Sequence, residues 1–188
     1  IKNSVTFLEG LDTLVNNAGV GGPTARIEDI SPQDWENCIS ICLGGQFNCT
    51  RASVKYLKES LNPSIVNISS AAGRMGFAMR TPYAAAKWGV IGLTKSLSIE
   101  LGEYNIRVNA VLPGVVSGKR QETILKAKAV AKSIPNEEVE IEALSYSSIK
   151  QYVTATDIAN QILFLASENG KMISGQAISV CGDLKMLS

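Results

Sequence analysis

The sequence predicts a doubly wound parallel α/β fold, in which helices cover both faces of a β-sheet. Short apolar runs that are typical of buried strands, such as residues 65–68 and 107–112, alternate with long amphipathic segments that are typical of helices. The runs are apolar almost throughout, as in parallel strands that are buried on both faces. No repeat, low-complexity tract or second domain interrupts residues 1–188, so we expect one domain.

Four strands are predicted in chain order, and polar or glycine residues follow each of them. The predicted strands are residues 12–15, 65–68, 107–112 and 176–180. The first runs into a polar turn that ends in glycine, the second into the hydroxyl groups of Ser69 and Ser70, and the third into a Pro-Gly pair. Turn chemistry of this kind marks the points where strands end.

Caps and prolines mark the two long helices. The Ser-Pro-Gln-Asp stretch at residues 31–34 predicts a capping box, which opens a helix from Gln33 to Leu61. Thr81 as a cap and Pro82 in the first turn open a second helix, which ends near Gly102.

The second helix carries the most informative side chains. Tyr83 and Lys87 are four positions apart, so they share a helix face, and Ser70 ends the preceding strand. A positive charge beside a phenol favours its ionised form, and such a pair near a hydroxyl can exchange a proton with an alcohol or carbonyl oxygen. The spacing alone is also common on ordinary solvent-exposed helices, so an unremarkable surface pair is the alternative.

Four motifs together resemble the short-chain dehydrogenase/reductase family. They are the Asn-Asn-Ala-Gly turn at residues 16–19, the strand that ends in Ser70, the Tyr83/Lys87 pair, and the strand that ends in Pro-Gly at residues 113–114. Their order and separations match the family from about residue 11 to residue 183. The resemblance implies a Rossmann-like oxidoreductase. The family's first strands and glycine-rich pyrophosphate turn have no counterpart in this sequence, so we expect an N-terminally incomplete domain. Either those strands exist outside this sequence, or the product is truncated.

The resemblance also implies roles for individual residues. Tyr83 is expected to be the general acid/base, Lys87 to assist it and to bind the nicotinamide ribose, and Ser70 to orient the substrate carbonyl. The implied cofactor is NAD or NADP, and the implied reaction interconverts a secondary alcohol and a ketone. The cofactor is expected to contact Asn17, Ala18, Gly19, Tyr83, Lys87, Pro113, Gly114 and Val116.

Two residues depart from the family pattern. Cys42 stands where the family usually has an Asn that is thought to hold a water for proton relay. A thiol would hold that water poorly. The alternative is that Cys42 is a small packed residue and that the relay runs through backbone carbonyls. Gly118 stands where many members have a Thr, which leaves Ser117 as its substitute. With the unmatched N-terminal half, these departures keep open a catalytically silent member that acts as a structural or binding partner.

The composition limits the classes of binding partner that we expect. A net charge of +1 offers no electrostatic reason to expect nucleic acid or an anionic membrane, and no apolar run approaches the roughly 20 residues of a membrane span. The absence of histidine excludes Ser-His-Asp hydrolysis and histidine-bound metal, and we expect no metal site. The expected partner is a small alcohol or carbonyl substrate.

Cysteine spacing, charge and helix composition complete the expectations. Cys38, Cys42 and Cys49 are expected on one helix face, as buried reduced thiols rather than zinc ligands. Reduced thiols favour a cytoplasmic location. The family resemblance implies that the charged segment 117–153 is a substrate lid. The helix after Pro82 is more apolar than one sheet face needs, and the family resemblance implies a homodimer or homotetramer, with a monomer as the alternative.

Overall fold

A parallel β-sheet forms the centre of the molecule. The computed structural model describes residues 1–184, except for the side chains of residues 120, 124, 127, 128, 131 and 132. Within this part of the chain the sheet has four strands in the order β1-β2-β3-β4, and every neighbouring pair is parallel. The strands are β1 (Thr13–Asn16), β2 (Ser64–Ile68), β3 (Arg107–Pro113) and β4 (Ala177–Val180). The predicted parallel α/β fold is confirmed.

Helices connect the strands. They are α1 (Lys2–Leu8), α2 (Pro32–Ile39), α3 (Gly45–Leu57), α4 (Thr81–Glu100), α5 (Lys119–Lys132), α6 (Asn136–Ser145) and α7 (Ala155–Ala166). A π-helical turn at Ser40–Gly44 joins α2 directly to α3. Among the described helices, none has both the length and the apolar character that crossing a membrane requires.

Two hydrophobic clusters cover the two faces of the sheet. Successive side chains of a strand point to opposite faces. Ile65 of β2 therefore packs with Leu57 of α3 on one face, whereas Val66 and Val111 pack with Leu165 of α7 on the other. Helices on both faces make the Rossmann-like fold doubly wound, as predicted.

Two predicted helix boundaries are wrong. The first long helix ends at Leu57 rather than Leu61, because the amide of Ser60 bonds back to the Leu57 carbonyl and tightens the chain into a turn before β2. Helix α4 starts at Thr81, because the carbonyl of Arg80 accepts the first helical hydrogen bond from Ala84. Arg80 is therefore the N-cap, and no side chain caps this end.

The expected common face of the three helical cysteines is also wrong. Cys38 and Cys42 are buried, but Cys49 is exposed. The π-helical turn adds one residue to the turn, which rotates every later position by roughly 100° around the axis. All four cysteines are free thiols in the described chain.

Residues 117–153 contain the helices α5 and α6, which lie against each other. Pro135 is the N-cap of α6 and separates it from α5. That this segment is a lid stays a prediction.

Candidate active site

The predicted site residues line one edge of the sheet. Residues 16, 67 and 110 lie side by side in β1, β2 and β3, so the carboxyl ends of these strands meet. Asn17, Ser70 and Gly114 follow those ends in the chain. In open α/β sheets, ligands bind in the crevice outside the carboxyl ends of the strands.

Lys87 occupies a fixed position between β2 and Tyr83. It is only 4% exposed, and its Nζ atom donates a 2.9 Å hydrogen bond to the Ile68 carbonyl at the end of β2. The same Nζ atom is 5.6 Å from the centre of the Tyr83 ring. The shared helix face expected for Tyr83 and Lys87 is therefore present, with the cation beside the phenol ring.

The Ser70 segment packs against the turn of α4 that carries Lys87. Ser69 Oγ donates a 2.8 Å hydrogen bond to the Lys87 carbonyl. A Cβ atom on Gly73 would lie 2.8 Å from that same carbonyl oxygen, so only glycine permits this approach. Ser70 Oγ accepts a 3.2 Å hydrogen bond from the Ala72 amide, which orients the hydroxyl.

The turn after β1 reaches Lys87 from the other side. A Cβ atom built on Gly19 would lie 3.7 Å from Lys87 Nζ and 3.7 Å from Cys42 Sγ. Cys42 Sγ accepts a hydrogen bond from the Val20 amide and donates one to the Val20 carbonyl, each at 3.3 Å. Cys42 is thus a packed residue that holds this turn in place.

Cys38 lies next to Cys42 and below the same turn. A Cβ atom on Gly22 would lie 2.8 Å from Cys38 Sγ, and the φ of +66° at Gly22 also favours glycine. Burial, with smaller contributions from the adjacent Cys42, raises the pKa of Cys38 to about 11. The nearby charges of Arg80 and Lys87 act in the opposite direction. Cys38 therefore stays protonated at neutral pH and is not a nucleophile.

Arg80 is a second cation at Tyr83 that the sequence analysis missed. Its Cζ atom is 5.3 Å from the centre of the Tyr83 ring and 5.6 Å from that of Phe77. Its Nη2 atom donates a hydrogen bond to the Gly21 carbonyl, so it links the turn after β1 to the start of α4. No feature of the local sequence indicates that this arginine contacts Tyr83 and Gly21 and does not simply extend into solvent.

A buried polar network below the edge was also missed. Asn16 donates hydrogen bonds to Thr50 Oγ1 and Asn67 Oδ1, and Asn67 donates to Thr94 Oγ1 at 3.0 Å. The network ties α3, β1, β2 and α4 together. An Asn inside the apolar run 65–68 was the available signal, because a buried amide requires partners.

The third predicted segment follows β3. A Cβ atom on Gly114 would lie 2.7 Å from the Cys181 backbone, so this glycine permits β3 and β4 to end close together. Val116 pairs with Val153, and the Ser117 hydroxyl lies 3.4 Å from the Val153 carbonyl oxygen. Gly118 has a φ of +134°, which side-chain-bearing residues rarely adopt, and this explains why Thr is not found there.

These residues are compatible with a bound nicotinamide dinucleotide. The Asn17–Gly19 turn is exposed at the sheet edge, and the absence of a side chain at Gly19 opens a path to the Lys87 ammonium. In the described residues, no group of three potential metal ligands comes together.

Comparison with known proteins decides the family. A protein-family model described as enoyl-(acyl carrier protein) reductase matches residues 1–183. The chain belongs to the short-chain dehydrogenase/reductase family. A member from Staphylococcus aureus, 3-oxoacyl-[acyl-carrier-protein] reductase, is 34% identical over 186 residues, which cover 99% of this chain and 71% of that relative.

Solved structures of short-chain dehydrogenases/reductases share the fold. A variant of actinorhodin polyketide ketoreductase with NADPH superimposes with a TM-score of 0.90 at 30% identity, covering 98% of this chain and 71% of its own. Carveol dehydrogenase from Mycobacterium avium in complex with NAD gives a TM-score of 0.88 at 31% identity, covering 100% and 69%. Both nucleotides expected from the sequence occur in these family members.

Proposed function

We propose that this chain acts as an NAD(P)-dependent oxidoreductase that interconverts a secondary alcohol and a ketone. The observation that carries the proposal is the Lys87 ammonium, held by the Ile68 carbonyl and placed 5.6 Å from the centre of the Tyr83 ring. The names of the relatives, a 3-oxoacyl reductase, a ketoreductase and a carveol dehydrogenase, support carbonyl and alcohol chemistry.

Tyr83 transfers the proton in this proposal. Its hydroxyl donates a proton to the carbonyl oxygen during reduction and takes one from the alcohol during oxidation. The Lys87 cation stabilises the ionised ring that remains after donation. The Ser70 oxygen already accepts the Ala72 amide hydrogen, so its own hydrogen can be donated to the substrate oxygen and orient it.

The cofactor supplies or accepts the hydride when bound. The turn at Asn17–Gly19 would flank the adenosine side of the bound nucleotide. The Lys87 ammonium and the loop from Pro113 to Val116 would hold its nicotinamide half. Residues 117–153 would close over the substrate as a lid and exclude water.

Replacement of Tyr83 by Phe tests the proposal. We expect Y83F to lower turnover by about 10²–10⁴-fold, because the proton donor is lost, while the fold is retained. Turnover is followed by nicotinamide absorbance with a panel of ketones and secondary alcohols. Y104F is the matched control, since Tyr104 lies beside Lys58 on another part of the surface and should keep full activity. Appreciable activity in Y83F would remove the assigned role.

A catalytically silent binding partner is the second candidate. It is favoured by the large exposed apolar side chains of α3 and α4, such as Phe47 and Trp88, which suit protein contacts. The same panel separates the two functions. Failure of the unmodified chain to bind nicotinamide nucleotides and to turn over any member of the panel would favour the silent partner.

A further inference from the structure

Gln46 shares its hydrogen-bond acceptor with Lys87. Its side chain is 3% exposed, and its Nε2 atom donates a 3.1 Å hydrogen bond to the Ile68 carbonyl. Lys87 Nζ donates to that same oxygen at 2.9 Å. One carbonyl group at the end of β2 therefore receives a donor from α3 and a donor from α4, and the Gln46 amide lies beside the ammonium.

The other end of that amide is buried without a partner. Among the described residues, no group donates a hydrogen bond to Gln46 Oε1. Buried side-chain oxygens nearly always have a donor, and an ordered water commonly fills that role where no protein group does. The Lys87 ammonium and the Gln46 amide donate to the same Ile68 carbonyl, so a water at Oε1 has a second polar group close at hand.

Cys42, one helical turn before Gln46, cannot easily serve a water as well. Its thiol is both donor and acceptor toward the backbone of Val20. A thiol is also a weak hydrogen-bonding group. The nearest strong hydrogen-bonding side chain on the following turn is Gln46.

We propose that Gln46 is a positioning residue for the Tyr83–Lys87 pair: it steadies the carbonyl that holds the ammonium, and its amide oxygen binds a water that relays the proton. The inference rests on the proposed function. During alcohol oxidation, the proton that Tyr83 takes from the substrate passes to Lys87 as the ammonium gives one of its own to the water. The water passes a proton to solvent, and both side chains regain their starting charge.

Charged and titratable groups from three sides bear on this step. Tyr83 lies on the same helix as Lys87, and Arg80 contacts the Tyr83 ring. Cys42 faces the ammonium across Gly19, and Cys38 lies close enough for Lys87 to influence its titration. Both variants in the test below keep these four side chains, so a change in the pH dependence of kcat can be assigned to Gln46.

The test compares Gln46→Met with Ser53→Ala. Met keeps the size of Gln but cannot donate to Ile68, and its sulfur is only a weak acceptor for water. Ser53 is also buried on α3 and its hydroxyl also has no partner in the described chain, but it lies two turns away from Gln46, so S53A controls for loss of a buried polar group on this helix. We expect Q46M to lower kcat about tenfold or more and to shift the pH profile of kcat. S53A should change neither, and the KM for the nucleotide should stay within about twofold in both.

Two further measurements keep the inference separate from the proposed function. The titration of the Lys87 ammonium, followed by nitrogen-15 NMR without substrate or nucleotide, should move in Q46M and not in S53A. A crystal structure of the unmodified chain should show a water within hydrogen-bond distance of Gln46 Oε1. If Q46M does not fold, the same measurements are made on Gln46→Asn. This variant keeps the amide group but has a shorter side chain.

The outcomes are distinct. An inactive unmodified chain refutes the proposed function, and the Lys87 titration then decides the inference alone. The inference is overturned if Q46M and S53A have the same kcat, pH profile and Lys87 titration. It is also overturned if a high-resolution structure of the unmodified chain shows no water in contact with Gln46 Oε1.

Discussion

At the residue scale, Cys42 shows how a side chain can differ from the family pattern and still serve the site. Its thiol is fully buried and exchanges two hydrogen bonds with the backbone of Val20, in the turn that faces Lys87. Since Gly19 lies against both Cys42 and Lys87, the position of this turn determines how closely a ligand can approach the ammonium. The role of Cys42 is therefore positional.

Loss of the Cys42 thiol should weaken nucleotide binding. We expect Cys42→Ala to raise the KM for the nucleotide several-fold, because the turn at Asn17–Val20 loses two contacts. Cys42→Ser, whose hydroxyl can still donate and accept, should stay closer to the unmodified chain. Steady-state kinetics measure the effect, and Cys49→Ala, on the exposed side of α3, is the matched control. Equal KM values for C42A and C49A would contradict the positional role.

Cys38 should make the folded state sensitive to alkaline pH. The pKa of its thiol rises from 9.0 to about 11 on folding. Between these values the unfolded chain loses the proton and the folded chain keeps it, so deprotonation favours the unfolded state and stability falls as pH rises from 9 to 11. Urea unfolding at several pH values should show a smaller fall for Cys38→Ala. An identical pH dependence in both proteins would show that another group is responsible.

At the element scale, the π-helical turn and Arg107 determine how α3 and α7 are positioned relative to the sheet. The turn at Ser40–Gly44 keeps Cys38 and Cys42 under the site while it directs Cys49 to solvent. Arg107 begins β3, yet its guanidinium donates to carbonyls at the end of α7, where the helix leaves backbone acceptors without helical partners. The buried Arg107 guanidinium thereby joins β3 to the end of α7.

Removal of the Arg107 guanidinium should destabilise the whole domain. It bonds to Gly170 and Asn62 at 3.1 Å, and to the end of α7, so Arg107→Met leaves several buried acceptors without donors. We expect a loss of about 3 kcal/mol in the free energy of unfolding. Arg107→Lys keeps the charge but has fewer donors, and it should lose part of this. A loss below about 1 kcal/mol for R107M in urea titration would contradict the account.

At the scale of the whole molecule, α3 and α4 present large apolar side chains to solvent. Phe47 of α3 is 50% exposed, and Trp88 and Ile99 of α4 are 52% and 83% exposed. Large exposed apolar side chains are common at protein interfaces. The homodimer or homotetramer expected from the sequence stays a prediction, and this surface is where we expect it to form.

Substitutions on that surface should lower the mass in solution. We expect light scattering to give two or four times the chain mass for the unmodified protein, and the double variant Phe47→Glu, Trp88→Glu to shift toward one chain, because buried unpaired charges oppose association. Leu61→Glu, at a fully exposed position in the turn before β2, should leave the mass unchanged. A monomeric unmodified chain would refute the expectation.

The sequence determined the regular elements and the family. Apolar runs, caps and helix spacing were enough to place four strands within about two residues and to put Tyr83 and Lys87 on one helix face, because these features depend on local periodicity. The motif at Ser70 was found in the same way. The cap at Thr81 and the end at Leu61 were wrong, because helix ends are decided by where the chain must turn to join its neighbours.

Only the tertiary structure decided which side chains meet. The contacts of Gln46 and Lys87 with Ile68 span 22 and 19 residues, that of Arg80 with Gly21 spans 59, and that of Cys42 with Val20 spans 22. Such contacts follow from how helices pack on the sheet, and no local pattern records them. A glutamine in a helix or an arginine before one becomes informative only when folding brings a carbonyl or an aromatic ring to it.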